Sequence, residues 1–170
     1  MKENIMEMEK YASENNVPII EKDSIAFIMK YIKKNNIKSV LEIGSAIGYS
    51  TILMASSNQD TIVTTIERDE TRYMECLKNV KKCGMEKKIN VVYQDALELN
   101  LSEDLRYDLI FIDAAKGQYI KFFEKYKNFL NPNGTIITDN INFHGYVGQS
   151  SKLDKGNLKS LVEKIEKYIE

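Results

Sequence analysis

The chain has 170 residues, of which 43% are hydrophobic and 29% are charged, and its formal net charge is −1. Such a composition is typical of a folded globular protein, and the length suits one domain over residues 1–170. The near-neutral charge excludes a generic polycation but allows a local basic surface. No apolar run approaches the roughly 20 residues of a membrane span and no signal segment opens the chain, so we predict a cytoplasmic protein without membrane association.

Two helices are predicted at the amino end, within residues 1–36, at about 4–15 and 23–35. Five short runs are then predicted to be strands, because each is rich in β-branched residues and continuously apolar. They are residues 39–43, 61–66, 89–93, 107–112 and 134–138. Helical spacing between and after them predicts helices over 69–83, 119–130 and 157–170, with NPNG breaking the second of these. This alternation predicts an α/β fold with a doubly wound, mostly parallel sheet. The last strand is apolar and is expected to lie at the edge of the sheet.

An acidic residue ends or follows every predicted strand. These acids are Glu42, Glu67, Asp95, Asp113 and Asp139. Ligands of open α/β sheets bind beyond the carboxyl ends of the strands, so the acids mark the predicted site. The two cysteines, Cys76 and Cys83, have no Cys or His cluster around them, which argues against zinc.

The first strand runs into the turn GSAIGYS, where Gly44 and Gly48 allow close approach of the backbone to a ligand. Glu67 follows Gly44 by 23 residues, a spacing at which an acid can bind ribose hydroxyls. Together these features favour an adenosine-containing ligand. The alternatives are a plain tight turn and a surface acid that opens the next helix.

The fourth and fifth predicted strands end in Asp113 and in Asp139-Asn140. Two carboxylates and an amide carbonyl are hard oxygen ligands, which suit Mg²⁺ or a similar cation. Lys116 is expected nearby, at a helix start where a cation is electrostatically unfavourable. In the alternative interpretation, Asp139-Asn140 only begins a turn and Lys116 is a solvated surface residue.

Five stretches between residues 40 and 140 carry a family resemblance: VLEIGSAIGYS, TTIERD, YQDAL, FIDAAKGQY and TDN. They resemble the class I S-adenosylmethionine-dependent, cation-dependent O-methyltransferases of the catechol and caffeoyl-CoA type. With ENNVPII and NFHGYVG included, the chain is most similar to the bacterial branch that methylates 5-hydroxyuridine at the tRNA wobble position. The resemblance implies a Rossmann-like sheet with two further strands after the last helix, so a chain truncated at its carboxyl end is expected.

The resemblance also assigns roles to individual positions. Those implied to hold the cofactor are Ile20, Glu42, Gly44, Ser50, Glu67, Asp95, Ala96 and Asp113. The implied metal ligands are Asp113, Asp139 and Asn140, and Lys116 is the implied catalytic base.

Three functional classes stay open at this point. The first is methylation of a tRNA anticodon loop, for which Tyr119, Phe143, His144 and Tyr146 could stack on a base. The second is a small-molecule enzyme acting on a catechol-like substrate. The third is a nicotinamide-dependent oxidoreductase or a non-catalytic nucleotide-binding domain. The expected edge strand and the dimers that the family resemblance implies together predict a homodimer.

Overall fold

The structure is a computed structural model that describes residues 1–114, 116–139, 149–153 and 156–169. Side chains are described at all of these positions except 116, 158 and 159. Two predicted functional positions, Asn140 and the side chain of Lys116, therefore lie outside the description, as do Phe143, His144 and Tyr146.

The centre of the fold is a sheet of five parallel strands in the order β3-β2-β1-β4-β5. The strands are β1 Ser39–Ile43, β2 Ile62–Glu67, β3 Ile89–Tyr93, β4 Tyr107–Ile112 and β5 Leu130–Thr138. The helices are α1 Lys2–Glu14, α2 Lys22–Lys34, α3 Tyr49–Ser56, α4 Glu70–Lys82, α5 Tyr119–Tyr126 and α6 Asn157–Ile169. The predicted α/β fold with a parallel sheet is confirmed.

The sheet separates two hydrophobic cores, and alternate residues of a strand enter opposite ones. In β4, Leu109 and Phe111 belong to the core shared with α1 to α4, whereas Ile110 and Ile112 belong to the core shared with α5 and α6. All four side chains are fully buried. Burial on both faces explains why this strand is continuously apolar in sequence.

The helices follow from their apolar spacing and their end signals. In α2, Ile25, Ile28 and Ile32 recur on one face and are buried against the sheet. The side chain of Asp69 caps α4 by accepting the Arg72 N–H at 2.9 Å, which satisfies an otherwise unpaired donor of the first turn. No helix among the described residues is long and apolar enough to span a membrane.

The segment around NPNG differs from the prediction. Helix α5 ends at Tyr126, a 3-10 turn covers Lys127–Phe129, and β5 already begins at Leu130. Asn133 has a left-handed backbone (φ 67°), and the pairing of β4 with β5 shifts register between Tyr107 and Leu109. The NPNG segment is therefore an irregularity within the strand, not a break before it.

Among the described strands, β5 lies at one end of the sheet order, as predicted for an edge. Neighbouring elements hold it through two side-chain hydrogen bonds. The hydroxyls of Tyr31 and Thr135 lie 2.7 Å apart, and those of Thr138 and Tyr168 also lie 2.7 Å apart. Helices α2 and α6 are thereby tied to opposite sides of the same strand.

Candidate functional site

A cleft of about 420 Å³ opens at the carboxyl ends of the central strands. Its walls come from the stretches 18–20, 43–50, 66–72, 94–96 and 113–114, together with Gln118 and Phe122. The volume lies within the range of small-molecule sites. The location is the one predicted from the acids that follow the strands, and Glu67, Asp95 and Asp113 are among the lining residues.

The floor of the cleft is the turn that follows β1. Gly44 has a left-handed backbone (φ 95°), and a Cβ added there would overlap the carbonyl oxygen of Asp113. Asp113 N–H in turn donates to the Ile43 carbonyl at 3.0 Å. Only glycine lets the β1 turn lie this close to the end of β4.

The carboxylate of Glu67, a residue that lines the cleft, accepts three backbone hydrogen bonds. Its donors are the N–H groups of Ala46, Arg68 and Asp69, each at 2.9 Å. The residue is 7% exposed. A carboxylate offers about four acceptor sites, so the side chain is held rigidly and still has capacity for a ligand hydroxyl. Glu67 thus lines the cleft with acceptor capacity to spare, and its binding to ribose hydroxyls stays a prediction.

Glu42 lies beneath the cleft wall, not on it. It is fully buried, and its carboxylate accepts hydrogen bonds from Ser50 at 2.5 Å, from Thr65 at 2.6 Å and from Thr51. Burial raises the pKa of Glu42, although the three hydroxyls oppose that shift. Because Ser50 lines the cleft, Glu42 is placed to position Ser50. The implied contact between Glu42 and a cofactor stays a prediction.

The wall next to Glu67 is the segment after β3. The side chain of Asp95 accepts the Leu97 N–H at 2.8 Å and pairs with Arg68 at 3.1 Å. The Leu97 hydrogen bond lowers the pKa of Asp95 more than burial raises it, and Arg68 lowers it further. Tyr126 of α5 donates its hydroxyl to the Ala96 carbonyl at 2.5 Å, which fixes this segment against α5.

Residues 18–20 also line the cleft, and Ile20 among them is 5% exposed. Glu9 of α1 reinforces this side. It accepts a hydrogen bond from the hydroxyl of Tyr49 at 2.8 Å and from Nζ of Lys22 at 2.8 Å. Both hydrogen bonds lower the pKa of Glu9. The amino-terminal helices are thereby attached to the start of α3, directly after the floor of the cleft.

Asp113 and Asp139, two of the three predicted metal ligands, follow the adjacent strands β4 and β5. Their backbones are fixed by hydrogen bonds to Ile43 and Ile112, respectively. Tyr119 donates its hydroxyl to the Asp139 carbonyl at 2.9 Å. Burial raises the pKa of Tyr119, and the charges of Asp113 and Asp139 raise it further, so both carboxylates act on one phenol.

Asp113 and Asp139 are two of the three predicted cation ligands, and the cation site stays a prediction. Within the described ranges, no group of three or more His, Cys, Asp or Glu side chains could hold a metal ion. Asn140 and the Lys116 side chain lie outside those ranges.

Gln118 lines the cleft and is among the residues that sequence reasoning missed. It precedes α5, and Gln118, Phe122 and Tyr126 follow one another at intervals of four residues. Helical spacing could have placed Gln118 on the face of Phe122, which also lines the cleft. The polar side chain of Gln118 concealed that placement.

The parallel sheet, the glycine turn after β1 and an acid at the end of β2 are features of the Rossmann type of α/β fold. The sequence profile of the O-methyltransferase family matches residues 2–169. The chain belongs to this family.

Three similar proteins illustrate the relationship. A protein of Arabidopsis thaliana, provisionally assigned as a caffeoyl-CoA O-methyltransferase, is 32% identical over 148 residues, which cover 84% of this chain and 62% of that protein. A Staphylococcus aureus structure with the same provisional assignment has a TM-score of 0.90 and 39% identity, covering 97% of this chain and 79% of that one. An O-methyltransferase of Bacillus cereus, solved in complex with SAH, has a TM-score of 0.83 at 22% identity, covering 98% and 77%. The chain thus spans less than two thirds of the Arabidopsis protein.

Proposed function

We propose that this chain binds S-adenosylmethionine in the cleft and transfers its methyl group to a hydroxyl oxygen of a small catechol-like acceptor. The observation that carries the proposal is the fixed carboxylate of Glu67, flanked by the glycine turn after β1. This carboxylate is a hydrogen-bond acceptor that lies between the glycine turn after β1 and the segment after β3. Such a position suits the vicinal hydroxyls of a ribose. Family membership supports the same cofactor.

The residues present fit the cofactor along the whole cleft. The turn at Gly44 and the hydroxyl of Ser50 would hold the methionine end, and Ile20 would cover it. Glu67 would accept the ribose hydroxyls. Asp95 and Ala96 would border the adenine, as the sequence resemblance implies.

A divalent cation would be held by Asp113, Asp139 and Asn140. When bound, such a cation lowers the pKa of a coordinated hydroxyl and orients it. The chain's own contribution to proton transfer is assigned to Lys116, whose neutral amine would accept the hydroxyl proton. The acceptor oxygen then forms a bond to the methyl carbon while the carbon–sulfur bond breaks. The products are the methyl ether and S-adenosylhomocysteine.

A small acceptor fits better than tRNA. The Arabidopsis and Staphylococcus proteins are both provisionally assigned to caffeoyl-CoA, a small-molecule ester. The net charge of −1 also lacks the positive excess with which proteins neutralise an RNA backbone. Methylation of tRNA at the wobble position, which the sequence suggested, is therefore the alternative outcome of the test below. The homodimer stays a prediction.

The test measures methyl transfer from labelled S-adenosylmethionine to three acceptors: caffeoyl-CoA, catechol and tRNA that carries 5-hydroxyuridine. We expect a methylated small molecule, loss of product with EDTA and recovery with Mg²⁺. Product on tRNA alone would overturn the acceptor class, and undiminished product with EDTA would overturn the cation site. A chain that fails to bind S-adenosylhomocysteine by calorimetry would overturn the proposal as a whole.

Two variants with matched controls locate the chemistry. Asp139→Ala should abolish cation-dependent turnover, whereas Asp60→Ala, an exposed acid in a loop before β2, should not. Lys116→Ala should lower turnover without weakening S-adenosylhomocysteine binding. Its control is Lys121→Ala, on the exposed side of α5. Equal losses in variant and control would remove the assigned role.

A further inference from the structure

The side-chain oxygen of Gln118 is a buried acceptor at the cleft. The residue lines the cleft, and this oxygen accepts no hydrogen bond from any residue that the structure describes. A buried polar atom without a partner costs free energy, roughly equivalent to a tenfold or larger change in an equilibrium constant. Such an atom in a ligand site is satisfied when the ligand brings a donor.

The position of Gln118 defines which part of a ligand it meets. Gln118, Phe122 and Tyr126 lie at intervals of four residues and therefore share one face of α5 and the turn before it. At the far end of this face, the Tyr126 hydroxyl donates to the carbonyl of Ala96. The face thus stands beside the segment that follows β3. Phe122 and Ala96 both line the cleft and offer apolar surface to a flat ring.

The proposed cofactor has hydrogen-bond donors in three places: the methionine ammonium, the ribose hydroxyls and the exocyclic amine of adenine. The turn after β1 would face the methionine ammonium, and the Glu67 carboxylate would accept from the ribose hydroxyls. The adenine base would therefore lie against the wall formed by Ala96 and Phe122. Its hydrogen-bond donor is the amine on carbon 6. An acceptor on that wall complements this amine.

We propose that the side-chain oxygen of Gln118 accepts a hydrogen bond from the 6-amino group of the cofactor's adenine and makes Gln118 a specificity-determining residue for the base. The proposal rests on the proposed function, because it requires an adenosyl ligand in the cleft. It adds a side-chain contact to a part of the site that the sequence resemblance assigned to Asp95 and Ala96.

The experiment compares two ligands, S-adenosylhomocysteine and its 6-deamino (purine riboside) analogue, by calorimetry on the whole chain. Wild-type protein should bind S-adenosylhomocysteine about tenfold more tightly than the analogue. Gln118→Leu should weaken S-adenosylhomocysteine about tenfold and leave the analogue nearly unchanged, so that the preference disappears. Gln118→Glu, which keeps acceptor oxygens at the same distance from the backbone, should retain the preference.

The matched control is Gln59→Leu, because Gln59 is also a carboxamide but is exposed in the turn before β2 and does not line the cleft. Its ratio of the two dissociation constants should equal that of the wild type. A wild-type protein that binds both ligands equally would overturn the inference while the proposed function stands. So would Gln118→Leu weakening both ligands equally, which indicates a structural role. If Gln118→Leu instead lowers turnover with unchanged S-adenosylhomocysteine binding, the side chain faces the acceptor substrate and the inference is wrong. No binding of S-adenosylhomocysteine by the wild type would overturn the proposed function itself.

Discussion

Glu67 accepts the backbone N–H of Ala46 at 2.9 Å, which fastens the end of β2 to the turn after β1. Ala46 has a left-handed backbone (φ 45°), a conformation that is uncommon for a residue with a Cβ. One carboxylate oxygen thus stabilises a strained turn, while the other binds two N–H groups at the start of the next connection. The same side chain both builds the cleft and presents an acceptor inside it.

Replacing Glu67 by Gln should therefore affect binding and stability together. The amide places a donor against a backbone N–H and removes one acceptor. We expect S-adenosylhomocysteine affinity to fall about 10- to 100-fold and the free energy of unfolding to fall by about 1–3 kcal/mol. Calorimetry and urea denaturation measure the two effects. Glu70→Gln, at the exposed start of α4, is the control and should change neither. An unchanged dissociation constant for Glu67→Gln would show that this carboxylate does not contact the ligand.

Gly44→Ala tests the close approach of the β1 turn to β4. The new methyl group would overlap the Asp113 carbonyl, and φ 95° is unfavourable for alanine. We expect a loss of roughly 3 kcal/mol or more in the free energy of unfolding, with loss of ligand binding. Gly84 provides the control, because it also has positive φ (65°) but has no atom within 4 Å of an added Cβ. Gly84→Ala should cost only about 1 kcal/mol. Equal losses in the two variants would show that backbone conformation, not the contact with Asp113, dominates.

The buried carboxyl of Glu42 should make stability depend on pH. Burial raises its pKa above the ordinary value of 4.5, so the folded chain keeps a proton that the unfolded chain releases. The free energy of unfolding contributed by this group should then fall as the pH rises above 4.5 toward the folded-state pKa. Glu42→Gln mimics the protonated form and lacks this slope. Urea denaturation of both proteins across this range should show the variant gaining stability relative to the wild type as pH rises. Parallel curves would contradict the raised pKa.

Asp108 should have the opposite pH dependence. It accepts the N–H groups of Lys38 and Ser39 at 2.9 and 3.1 Å, and the amide of Asn131 at 2.8 Å. Burial alone raises the pKa of Asp108, but these hydrogen bonds together bring it below the ordinary value of 3.8. Its stabilisation is therefore present above pH 3.8 and is lost as the pH falls through the folded-state pKa.

The variant Asp108→Asn should cost about 1–3 kcal/mol at neutral pH and much less in acid. Urea denaturation at the two pH values measures the difference. Asp60→Asn, in an exposed loop position, should show no comparable loss. If the cost of Asp108→Asn were the same at both pH values, the ionised carboxylate would not be the stabilising species.

The sequence was most informative where burial acts on both faces of an element. The bounds of β1, β3 and β4 agree with the predicted runs, and α2 and α4 lie within about two residues of their predictions. Helix α3 was not predicted, because six of its eight residues are buried and it shows no polar face to reveal a helical period. The start of β5 was misjudged because NPNG is a strong turn signal that this strand accommodates by a register shift.

Within the site, the acids at the strand ends were predictable from topology, but their orientations were not. Glu42 faces the same side of the sheet as Val40, where α3 supplies Ser50 and Thr51 to its carboxylate. Strand alternation fixes which residues share a face, yet only the packed helices determine which face meets the cleft. Gln118 could not be predicted for a similar reason. Its proposed role depends on a buried side-chain oxygen that has no hydrogen-bond partner among the described residues.

The order of the sheet also determines when the cleft can exist during folding. Its floor follows β1, which pairs with β2 about 23 residues later and with β4 about 69 residues later, so closing the cleft requires a distant segment to return. A chain in which β4 has not yet docked has no complete binding surface. Ligand binding at this cleft therefore reports on the assembly of β1 to β4. A bound ligand should raise the melting temperature in proportion to the logarithm of its concentration.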